Sequence, residues 1–228
     1  MSDRLNHTAL KLSPRFVGFD GASTRFRAHF PQGFRSPLYA QREYNYKIKA
    51  KTELDRLAPV EKAATGSGLG GAIIKAFRAT DLLHHKFEKP KVEDLLRSAD
   101  GDRFIRAAAR LALGEMKPAL EEIARVLAGH GLKKWTVVTY LPFLWAPATH
   151  MFLKPTMTRT FAANVGHRFA RDYRPALDPE VYESLLDLAT LTADKLKDFE
   201  PRSNIDIQSF MWTVECYELD PERTPALT

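Results

Sequence analysis

The sequence predicts a mainly α-helical protein, a helical bundle of two lobes carrying a small N-terminal β-hairpin. Three observations lead there. Apolar residues recur at three- and four-residue spacing through most of the 228 residues, Pro and Gly punctuate those runs about every ten residues, and only one early segment alternates with a period of two. A hydrophobic content of 44% is enough to bury a core in a chain of 25.8 kDa.

The early exception covers residues 12–40. Phe26, Ala28 and Phe30 alternate with Arg25, Arg27 and His29, the pattern of a half-buried strand, so a short hairpin with an exposed arginine face is expected. From Tyr39 the period changes, and Tyr46, Ala50 and Leu54 share one helical face. These residues are assigned to a basic N-terminal segment, 1–56, ahead of an α-helical domain at 57–228. The glycines of GSGLGG, 66–71, match a dinucleotide fingerprint in letters alone. No strand precedes them to present their amides to a pyrophosphate, so a turn feeding the helix AIIKAFRATDLL is expected. The adjacent His84 and His85 cannot face one metal from a helix as an i, i+4 pair would, and they read as surface histidines.

Successive helices follow. One starts near Pro90, the alanine-rich RFIRAAARLAL makes a second, and Pro118 stands in the first turn of a third. Asp178 is placed to cap a helix with Pro179 at its first position, and Ser203 with Asp206 has the form of a capping box for IDIQSFMWTVECYEL. Ile207, Phe210, Met211, Val214 and Tyr217 form that last helix's core stripe. The tail PERTPALT is expected to fray.

Charge narrows the function. The net charge is +6, but from Ile123 to Arg171 there is no Asp or Glu, while Arg125, Lys133, Lys134, Lys154, Arg159, Arg168 and Arg171 are all cationic. Residues 1–56 add eleven Lys/Arg against five Asp/Glu, which leaves the remaining segments acidic. Two basic portions separated by acidic ones suit a polyanion groove. The lone Cys216 cannot form an internal disulfide and has no His-rich partner motif, so a structural thiol is expected. No run of apolar residues is long enough to span a bilayer, and MSDRLNHTALKLS has no apolar signal-like core. A cytoplasmic, nucleoid-associated location is expected, with no membrane partner, metal or cofactor.

The basic stretch holds Gly129-His130-Gly131 between two helical runs, followed by Lys133, Lys134 and the apolar WTVVTYLPFLW. A Gly-x-Gly turn lets backbone approach a phosphate, and a lysine in the next helix's first turn, beside a second lysine, favours the neutral form that an amine nucleophile needs. The plain alternative is a solvated lysine pair. Aromatic residues interleave with the charge; most belong to a core, and Trp135, nearest the glycines, is the first candidate to line a base pocket.

The segment Leu127-Ala-Gly129-His-Gly131-Leu-Lys133 resembles the L-x-G-x-G-x-K hairpin of the helix-hairpin-helix DNA glycosylase superfamily, the 8-oxoguanine type in particular. The resemblance covers roughly residues 70–218 and places the hairpin at 127–135. It implies that the glycine hairpin grips DNA, taken as duplex, and that Lys133 forms a Schiff base with the sugar. Gly129, His130, Gly131, Lys134, Lys154, Arg159 and Arg168 would then contact the nucleic acid. One departure stands out: the family's catalytic Asp follows the lysine by about twenty residues in a short turn, where this chain has Met151 to Thr156, MFLKPT. Asp172 or Asp206 would have to supply the carboxylate. Otherwise Lys154 replaces it with a phosphate contact, and the protein binds nucleic acid without excising a base, within a larger DNA-processing or defence assembly. A third alternative is a helical enzyme acting on a small phosphorylated substrate.

Overall fold

A computed structural model describes residues 15–218; the N-terminal stretch MSDRLNHTALKLS, residues 12–14 of the expected hairpin and the tail PERTPALT lie outside the described residues. The fold is built around one helix. Helix α9, Trp135–Trp145, is buried along its whole length, because nearly every position of WTVVTYLPFLW is apolar and the helix has no face for water. Its Pro142 removes one backbone donor without ending the helix.

Before α9 in the chain come α3 (Asn45–Leu57), α4 (Val60–Thr65), α5 (Gly70–Arg78), α6 (Lys89–Arg97), α7 (Gly101–Ala112) and α8 (Met116–Gly129), with α7 packed on α4, α8 and α9. The spacing of Phe104, Ile105, Ala108, Leu111 and Ala112 gives α7 the buried face that these neighbours share. After α9 come α10 (Pro155–Asn164), α11 (Phe169–Asp172), α12 (Pro179–Lys195) and α13 (Asn204–Cys216), with α10 against α11 and α13. As anticipated, Asp178 caps α12 by accepting from the amide of Glu180 at 2.9 Å, with Pro179 next to it. Ser203 caps α13 through Ile205 N–H at 3.3 Å, and Ile207, Phe210, Met211 and Val214 are buried, whereas Tyr217 is half-exposed.

The N-terminal β-hairpin is corrected. Among the described residues there is no strand; Gly18–His29 forms helix α1 instead. The alternating pattern also contains Ala22, Arg25, Phe26 and Phe30, an i, i+3, i+4, i+8 series, and it is this helical face that is buried against α13. Phe26 sits within an aromatic cluster of Phe30, Phe34, Tyr39 and Phe210, partners from distant parts of the chain that outweigh local strand propensity. Short helix α2 (Pro37–Tyr39), a π turn at Ala40–Tyr44 and α3 follow without a break. Residue 56 therefore falls in the last turn of α3, and buried side chains from Phe16 to Val214 belong to one hydrophobic cluster.

Candidate functional site

The glycine turn is first a helix stop. Gly129 is the last residue of α8, His130 caps it, and Gly131 turns into the left-handed region with φ +60°. The Leu132 amide donates back to Leu127 C=O at 3.0 Å and the Gly131 amide to Ala128 C=O at 3.4 Å, a Schellman pair, with Leu127 and Leu132 both buried beside it. The Lys134 amide donates to Leu132 C=O at 2.6 Å. Most amides of the turn are thus consumed within the chain. Lys133 lies two residues ahead of α9 and not in its first turn; Lys134 is the N-cap residue.

A cleft opens where this turn meets α9. Its inner recess, about 180 Å³, is lined by Glu88, Lys133, Lys134, Trp135, Tyr173 and Pro175, with Thr136 and Pro155 completing it. Pro155 and Tyr173 also line a wider, shallower groove of about 580 Å³ along the outer face of α10, past Thr156, Arg159 and Thr160. The two adjoin at Pro155 and Tyr173, and recess and groove together are called the channel below. Lys133 and Arg159 have no carboxylate partner among the described residues; Lys134 Nζ stands 3.9 Å from Glu88. Arg159 lies over the Tyr173 ring at 5.2 Å, a cation–π contact that holds the guanidinium at the groove wall.

Glu88 is the residue that sequence reasoning missed. Its carboxylate accepts from Thr136 Oγ1 at 2.6 Å and from the His84 amide at 2.8 Å, so an anion already stands at the positive end of α9. No local pattern joins Glu88 to a turn more than forty residues later; only the fold does.

The remaining predicted residues separate. Trp135 presents an edge to the recess but is 1% exposed, donates to Arg174 C=O at 3.1 Å and stacks on Tyr182 at 6.0 Å. Tyr182 stacks in turn on His150, whose Nδ1 is 2.8 Å from the Tyr182 hydroxyl and whose Nε2 faces Ala112 C=O at 3.2 Å. Because a carbonyl only accepts, Nε2 carries the proton, and burial lowers the pKa of His150 below the usual imidazole range. His130 pairs with Asp100 at 3.1 Å, and Arg168 bridges Asp187 and Asp172, each at 3.1 Å. Lys154 turns to α13, with Nζ 4.3 Å over the Trp212 ring.

Neither expected carboxylate faces the channel. Asp172 is one residue from Tyr173, yet it bonds Arg168 and accepts from Ser184 at 2.8 Å. Asp206 is fully buried: it accepts from the Tyr39 hydroxyl, from the Arg202 amide at 2.7 Å and from the Arg202 guanidinium at 2.8 and 2.9 Å. Beside it a second buried group links Lys47 to Glu43 at 3.0 Å and to Ser209 at 2.7 Å, with Tyr217 donating to Glu43 at 2.5 Å. Burial pushes the Lys47 amine down. These two networks tie the π turn and α3 to α13 and open to no described cavity. Cys216 is exposed, and its thiol is pushed up by burial of part of the side chain. Among the described residues no helix is long and apolar enough to cross a membrane, and no cluster of His, Cys, Asp and Glu has the form of a metal site. No protein-family model, curated protein or solved structure matches the chain.

Proposed function

We propose that the protein binds the phosphate backbone of a nucleic acid in the channel between the start of α9 and the outer face of α10. The observation that carries this is that Lys133 and Lys134 line the recess and Arg159 the groove adjoining it, with Tyr173 on the wall of both. Unpaired cations on a groove release counterions when they meet phosphates, which supplies affinity without a sequence requirement. A small recess beside a shallow open groove suits a polymer better than a small phosphorylated substrate, which closed sites enclose. His130, Arg168 and Lys154 are already engaged by Asp100, Asp187 and Trp212, and in this proposal they contribute little.

The test is the salt dependence of oligonucleotide binding. Lys133→Ala and Arg159→Ala should each weaken binding and reduce the slope of log K against log salt by roughly 0.7 to 0.9. Unchanged slopes would remove these residues from the interface.

Base excision is a second proposal, favoured by Glu88, which puts a carboxylate in the same recess as Lys133 where the nearby sequence has none. The Lys133 amine would attack the sugar C1′ as the bond to the base breaks, the base leaving with a proton and the sugar ring then opening to the Schiff base, with Glu88 in the part that the resemblance assigns to an aspartate. Borohydride trapping on abasic DNA should then give an adduct that both Lys133→Ala and Glu88→Gln lose. An adduct that survives loss of Lys133 rules it out as nucleophile, and no adduct on any substrate leaves binding alone.

A further inference from the structure

We infer that the turn from His84 to Glu88 is a stacking platform for unpaired bases, so that the ligand of the channel is single-stranded nucleic acid. The inference rests on the proposal that the channel takes phosphates, and it names which strand form they come from.

Phe87 is 65% exposed, a large apolar ring left in water. It is not alone: its ring lies 4.6 Å from that of His84, and His84 stacks on His85 at 5.1 Å with only 8° between planes. His84, His85 and Lys86 are exposed as well. Three flat rings on one turn form a π surface, and a lysine stands among them.

The turn is held in place before any ligand arrives. His84 Nδ1 accepts from the Lys86 amide at 3.2 Å, and His84 C=O accepts from the amides of Glu88 at 2.9 Å and Lys89 at 3.1 Å. The His84 amide donates to the Glu88 carboxylate, which is itself part of the channel wall. The platform therefore begins one residue from the recess that holds Lys133 and Lys134. Rigid aromatic faces beside a cationic groove are the combination that binds single strands, because every base has a face to stack while the backbone is tracked by charge. In a duplex the bases are stacked on one another and their faces are not available. The charge next to the rings is what selects a nucleic acid over an apolar protein surface as the occupant.

The full-length protein should be titrated with a fluorescent oligothymidylate of about a dozen nucleotides and with a duplex of the same length. The single strand should bind more tightly. Phe87→Ala should weaken it about tenfold with an unchanged salt slope, as loss of one stacked base predicts, and His84→Ala/His85→Ala should act in the same direction. Phe87→Trp should restore binding. Because Phe87 is exposed, these variants leave the core untouched. Equal affinity for single strand and duplex, or Phe87→Ala binding like the wild type, would overturn the platform while leaving phosphate binding in the channel intact. Absence of binding to either oligonucleotide would instead sink the channel proposal on which the platform depends.

Discussion

The two glycines of the turn make opposite predictions. Gly129 is helical and a Cβ there meets nothing within 4 Å, so Gly129→Ala replaces a poor helix former with the best one at no steric cost. The gain is at most about 1 kcal/mol, since the position is the last of its helix. Gly131 also has open space around it, but its φ of +60° costs an L-residue about 1–2 kcal/mol. Gly131→Ala should therefore lower Tm by about 2–8 °C, at roughly 2–4 °C per kcal/mol for a chain of this size, while Gly129→Ala should hold or raise it. Differential scanning calorimetry reads both. Binding separates the roles further: if the turn stops α8 and the side chains of Lys133 and Lys134 do the gripping, Gly129→Ala binds oligonucleotide normally. Loss of binding in a Gly129→Ala protein of undiminished Tm would show that backbone at this glycine approaches the phosphate, and would refute the helix-stop account.

Other consequences follow from the same geometry. Lys47→Ala strands Glu43 in the core and should cost about 3–5 kcal/mol in denaturant unfolding, whereas Lys47→Met with Glu43→Gln should cost less than the single change; an exposed-pair value below 1 kcal/mol for Lys47→Ala would contradict its burial. His150 is held neutral in the fold, so its contribution is present above pH about 6.5 and is lost as pH falls through the unfolded-state value toward its lowered folded one. Over that range His150 should account for a slope of up to about 1.4 kcal/mol per pH unit, and His150→Gln should flatten the stability profile. Glu88→Gln removes an anion from the channel and should tighten oligonucleotide binding about threefold by the Coulomb energy of a unit charge several ångströms away; if it abolishes activity on abasic DNA instead, Glu88 serves chemistry.

Helices were legible wherever the period of the apolar residues and the capping residues agreed. Asp178-Pro179 and Ser203 start α12 and α13 as local chemistry dictates, and α9 is buried because its composition leaves no alternative. Residues 18–29 show the limit. Phe26 and Phe30 satisfy a strand from one side and a helix from the other, and partners distant in sequence, Tyr39 and Phe210, settle which. The candidate site was legible in part. Lys133, Lys134, Trp135 and Arg159 stood in one acid-free stretch; the first three line the recess and Arg159 lines the groove beside it. Glu88 and Tyr173 come from other elements, and no spacing rule links them to the glycine turn. Asp206 misled because a carboxylate in a helix's first turn fits a capping role or a catalytic one equally well until its burial against Tyr39 and Arg202 is known.

Photo-cross-linking tests the channel most directly. A single strand carrying 4-thiothymidine, irradiated with the protein and mapped by peptide mass spectrometry, should mark His84, His85 or Phe87 on the platform and Tyr173 on the channel wall. Cross-links confined to residues outside the recess, the groove and the platform would contradict the account.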